Sequence, residues 1–105
     1  MAETLPQMAA RHAAGVPDAP RIDADERIRF HMILDAAIDK MNAPKNAWKP
    51  KWYALQNTEL IELLLVEAFE LRHAVLYPHH GSVSGECKDV INYALMIADN
   101  AARGK

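Results

Sequence analysis

Two stretches of this chain are apolar on nearly every side of a helix, yet each carries two acids three residues apart. The first begins Leu60-Ile-Glu-Leu-Leu-Leu-Val66 and continues into Glu67-x-x-Glu70. The second opens with Glu86-x-x-Asp89 and continues through Val90, Ile91, Ala94, Leu95, Met96 and Ile97. A helix that is apolar all round must be covered all round. Three helices in a chain of 105 residues cannot cover two of their number at once. The pattern therefore predicts an all-α fold: an antiparallel helical hairpin core with an additional N-terminal helix, completed into a bundle by oligomerisation.

Local signals place the helices. Asp23, with Glu26 three residues later, predicts a capped start for the first helix. Its stripe of Ile28, Met32, Leu34, Ala36 and Ile38 runs to about Met41, where Asn42-Ala-Pro44 stops it, and Phe30 is expected in the core. Pro50 breaks the segment 46–56 into a loop or short turn. Thr58 is expected to cap the second helix, which runs to about Leu76, and the third is expected from near Ser84 to about Ala102. Residues 1–21, broken by Pro6, Pro17 and Pro20, read as a flexible N-terminal segment, and 22–105 as one helical domain. No strand alternation and no useful repeat is present.

Composition narrows the partners. A formal charge of -2 gives no broad basic surface, so no nucleic-acid polymer is expected. Cys87 is the single cysteine, which forbids an intrachain disulfide and suits a reducing compartment. No apolar run approaches the roughly 18 residues that a membrane span needs. With no signal-peptide pattern at the start, a cytoplasmic protein without membrane contact is expected.

The acids carry the chemistry. A carboxylate among apolar neighbours is costly unless something neutralises it. Residues three apart on a helix share one face. Fifteen residues separate Glu70 from Glu86, and 77–83 within them are turn-like, so the two helices should be neighbours. Glu67, Glu70, Glu86 and Asp89 would then meet beside the turn as a four-carboxylate cage. Hard divalent cations favour oxygen ligands of this kind, Mg²⁺ first and Mn²⁺ as a substitute. Phosphate chemistry is the expected use. The plain alternative is four solvated acids, against which stand Val66, Phe69 and Leu71 around one pair and Val90 and Ile91 beside the other.

Other residues are expected to serve a ligand. Lys88, between Glu86 and Asp89, is the leading phosphate partner, with Lys49, Lys51, Arg72 and His73 behind it. Trp48, Trp52 and Tyr53, interleaved with Lys49 and Lys51, offer faces for a base; equally, they anchor a loop to the core. Asn92 and Asn100 are candidates for reading polar base edges. Glu70-Leu-Arg-His73 has no second copy, which argues against a di-iron bundle, and His79, His80 and Cys87 fit no standard zinc spacing.

The sequence Val66-Glu-Ala-Phe-Glu-Leu71, followed after the gap by Gly85-Glu-Cys-Lys-Asp-Val-Ile-Asn-Tyr93, resembles the MazG-like all-α nucleoside triphosphate pyrophosphohydrolases. The resemblance covers residues 58–102. It implies Mg²⁺-dependent cleavage of a nucleoside triphosphate between the α- and β-phosphates, giving the monophosphate and pyrophosphate. It also implies a dimer or tetramer with active sites near the subunit interface. Glu67, Glu70, Glu86 and Asp89 match the metal-binding carboxylates, with Glu67 or Glu70 orienting the attacking water. Tyr93 matches a position where some relatives place an aromatic near the nucleotide. Two departures, Val66 before Glu67 where many relatives have a further acid, and Lys88 where many have a small residue, bear on substrate preference and metal number. The base stays open, with a purine such as dGTP favoured by the aromatic segment. The alternatives are a phosphoribosyl-ATP pyrophosphohydrolase-like enzyme and a non-catalytic helical oligomerisation module.

Overall fold

The computed structural model describes residues 21–47 and 49–105, together with Thr4 and Pro6. Most of the expected flexible segment, and Trp48, lie outside the described residues. Helix α1 spans Ala24–Met41, α2 spans Asn57–Leu76 and α3 spans Val83–Ala102. Single 3₁₀ turns sit at Pro44–Asn46, Trp52–Ala54 and Pro78–His80, and no strand occurs among the described residues. The broken segment between α1 and α2 is thus two tight turns on either side of Pro50.

The start of α1 is a reciprocal cap. The Glu26 amide donates to Asp23 Oδ1 at 2.7 Å, and the Asp23 amide donates to Glu26 Oε1 at 3.0 Å. Helix α3 begins one residue before the expected Ser84, because Ser82 Oγ accepts from the Gly85 amide at 3.0 Å. Thr58 does not cap α2. The cap position is Gln56, whose side chain makes no capping bond. Its backbone carbonyl instead receives the amides of Glu59 and Leu60, each at 3.0 Å. What fixes this helix start is tertiary: Asn100 Nδ2 donates to Asn57 Oδ1 at 3.2 Å.

Helix α3 is the hub. It packs most extensively on α2 and also on α1. Asn57 at the start of α2 meets Asn100 near the end of α3, while the last turns of α2 face the first turns of α3. Among the described residues the fully enclosed apolar ones are few: Ala37, Leu60 and Ala74. Alanines at two of these places let backbones approach closely. The sequence stripe on α1 packs only in part, with Leu34 and Ala36 half-buried. Ile28 and Met32 are exposed, as is Phe30, and Ala37 is the contact point, with Asn92 Nδ2 donating to its carbonyl at 2.8 Å. That amide bond ties α1 to α3 at its most enclosed residue. On α2 the residues Ile61, Leu65, Val66 and Phe69 also remain exposed, Phe69 by 70%. No helix of the described residues is long and apolar enough to cross a membrane.

Candidate functional site

The acids come from two helices and meet where the connecting turn brings them side by side. Glu67 and Glu70 lie one turn apart on α2, and Glu86 stands in the first turn of α3. One oxygen from each of Glu67, Glu70 and Glu86 lies within 4.8 Å of the others. Like charges at that spacing repel, and water does not relieve them evenly. Glu67 Oε2 and Glu86 Oε2 are shut off from solvent and have no hydrogen-bond partner. A buried oxygen left without a donor costs about 1–3 kcal/mol, more when charged. Burial pushes the Glu67 carboxyl up to about 7 from the ordinary 4.5, helped by a proton-sharing contact with Glu70 and by the charges of Glu70, Asp89 and Glu86. Glu86 moves the same way, from burial first and then Glu70. A proton shared with Glu70 relieves part of this repulsion, Lys40 offsets some of it at Glu86, and the three oxygens at this spacing could also hold a cation.

Asp89 stands outside the convergent three. Its Oδ1 is held by Lys40 Nζ at 2.7 Å, and the same ammonium donates to the Gly85 carbonyl at 3.0 Å. Lys40 comes from the last turn of α1, so all three helices contribute to this corner. No pattern in the sequence marks Lys40, which lies 45 residues from Gly85 in the chain; only the crossing of α1 on α3 reveals it. Lys88, the leading phosphate partner from sequence, lines neither cavity at the site. The helix turns it away from the face that Glu86 and Asp89 share.

A cavity of about 990 Å³ opens beside the acids. Glu67, Asp89, Asn92 and Tyr93 line one part of it, and Lys40, Lys45, Lys49 and Lys51 line another. Trp52 and Met96 supply apolar wall. This is a volume that suits a small organic ligand. Tyr93 is half-buried, and its hydroxyl titrates above the usual range because of burial and the negative charges of Glu67, Asp89 and Glu70. It stays a neutral donor. Asn92 is buried; with its amide nitrogen tied to Ala37, its Oδ1 has no partner. Trp52 does line the cavity, but its indole N–H donates to Asp99 Oδ2 at 2.7 Å, which fixes the ring to α3. Lys51 Nζ lies 5.8 Å from the Trp52 ring centroid. Asn100 is not at the site. Its Nδ2 donates to the carbonyls of Trp52 and Leu55, at 3.2 and 3.4 Å, and holds the loop.

A second hollow of about 450 Å³ lies on the other side of the acids, lined by Glu70, Glu86, His73, His80 and Phe69. The two imidazole centroids are 6.0 Å apart. Compared with protein-family models, with curated proteins and with solved structures, the chain matches none.

Proposed function

We propose that this chain is a divalent-cation-dependent nucleoside triphosphate pyrophosphohydrolase of the MazG-like kind, giving a nucleoside monophosphate and pyrophosphate. One observation carries the reading: three carboxylates from two helices converge to within 4.8 Å, two of their oxygens are buried without partners, and a large lysine-lined cavity adjoins them. The donor set is all oxygen and fits Mg²⁺ or Mn²⁺. Glu67, Glu70 and Glu86 would hold the ion, and Asp89 is near enough to join them. Bound there, it supplies charge neutralisation for the polyphosphate and Lewis acidity at the phosphorus being attacked. Glu67 or Glu70 would orient the attacking water and accept its proton. The lysines at the cavity wall hold phosphate oxygens, and Trp52 with Tyr93 flank the nucleoside.

A dimer or tetramer completes the reading. The exposed faces bearing Phe69 and Val66 on α2, and Ile28 and Met32 on α1, would be covered by second copies. These faces equally suit a non-catalytic helical oligomerisation module. Incubation with a panel of ribo- and deoxynucleoside triphosphates and Mg²⁺ separates the two. Pyrophosphate release that disappears in Glu70→Gln supports the enzyme. No release from any nucleotide, with no cation-dependent shift in melting, supports the module. A purine such as dGTP is the proposed preference, and phosphoribosyl-ATP belongs in the panel as the substrate of the alternative enzyme.

A further inference from the structure

We infer that Lys40 is a resident counter-cation that the divalent ion must displace from Asp89, and that the displaced ammonium then serves the substrate phosphates in the large cavity. The inference rests on the metal-site reading above and adds to it the order of events at one corner.

Glu67, Glu70 and Glu86 already converge, whereas Asp89 does not belong to that set. The reason is visible: Lys40 Nζ holds Asp89 Oδ1 at 2.7 Å, and its second bond, to the Gly85 carbonyl at 3.0 Å, fixes the ammonium in place. Both side chains are about seven-tenths enclosed, so water replaces this bond poorly. An ammonium and a divalent ion beside one carboxylate repel each other. For Asp89 to turn toward the three glutamates it must therefore release Lys40, or share itself at a cost in affinity. Release does not strand the lysine. Lys40 also lines the cavity, together with Lys45, Lys49 and Lys51. The freed ammonium is thus delivered where a phosphate oxygen would sit, and cation loading is coupled to phosphate binding. Before loading, the same contact offsets one of the four negative charges.

Mn²⁺ binding to the full chain, read by electron paramagnetic resonance without nucleotide, tests this directly. Lys40→Met should bind Mn²⁺ about three- to fivefold tighter than the unaltered protein, the worth of a partly exposed ion pair. Lys40→Arg, which keeps the pair, should bind as the unaltered protein does. With a nucleotide that is turned over, Lys40→Met should raise KM about tenfold, the loss of one charge-assisted hydrogen bond, with a smaller change in kcat. Lys40→Gln repeats the measurement if the Met variant does not fold. Equal or weaker Mn²⁺ binding in the folded variant overturns the inference and leaves the hydrolase reading standing. Tighter binding in a protein that hydrolyses no nucleotide does the reverse. No Mn²⁺ binding by either protein at millimolar concentration overturns both.

Discussion

The two ends of α3 solve the same problem in opposite ways. Near its C-terminus, Asp99 accepts from the Trp52 indole at 2.7 Å and from Arg103 Nε at 2.8 Å, and its carboxyl titrates below the usual range because of those two bonds. Near its N-terminus, Glu86 and its neighbour Glu67 each have a buried oxygen without a donor, beside an exposed Glu70, and burial moves both of their carboxyls up. The asparagines differ in the same sense. Asn100 Nδ2 has three acceptors in the loop and α2, while Asn92 spends its amide on Ala37 and stands at the cavity wall. At the C-terminal end the charged group is paired and the donors hold the chain together, although Asn100 Oδ1, like Asn92 Oδ1, is buried without a partner. The other end carries unbalanced charge beside a hollow, and the proposed function rests on that contrast.

The sharpest way to break this contrast is at the acids. Glu86→Gln should lower pyrophosphate release by more than about 100-fold, beyond what loss of an outer-shell partner costs, while its melting temperature without cation holds or rises. A variant that keeps turnover would make the N-terminal end an ordinary acidic surface. Next in size is the structural end. Asn100→Ala strips the donor from two loop carbonyls and should cost about 2–4 kcal/mol by denaturant titration, with Mn²⁺ affinity of the folded protein unchanged.

The third prediction concerns pH and separates the ends by sign. Glu67 keeps its proton to about pH 7 in the folded chain, against 4.5 ordinarily. Below 4.5 both states are protonated there and nothing is lost. Between 4.5 and about 7 the unfolded chain ionises while the folded one resists, so cation-free stability should fall as pH rises. Millimolar Mg²⁺ at pH 8 should restore melting temperature, and Glu67→Gln should flatten the profile. Asp99 runs the other way. Its depressed carboxyl contributes stability above the ordinary 3.8, which is lost as pH falls through its lower folded value. Smallest of all, Trp52→Phe removes the indole donor and should lower the melting temperature by a few degrees and shrink that acid-side loss to the part Arg103 supplies. An unchanged acid limb would mean Arg103 alone holds Asp99.

How far the sequence reached follows from the range of each interaction. The all-helical class, the Asp23–Glu26 cap and the stop at Asn42 depend on residues a turn or less apart, so local pattern specifies them. The juxtaposition of the α2 and α3 acids was legible too, because a short turn leaves two helices few ways to pass. Thr58 misled because the start of α2 is set by Asn100 rather than by a cap. The α1 stripe was legible only in part: Leu34 and Ala36 are half-buried, but Ile28 and Met32 stay exposed and the tightest contact is at Ala37, where Asn92 donates.

The amino-acid order alone determined that there would be helices, where most of them would begin and end, and that four acids would sit near one turn. Only the tertiary structure decided which acids converge, that Lys40 would hold Asp89, and that Lys88 would stay away from both hollows. The reason is range. Helix limits follow from bonds between residues a few places apart, whereas the charge balance of this corner depends on the angle at which α1 crosses α3. That angle is a sum of many contacts, and no short pattern records it.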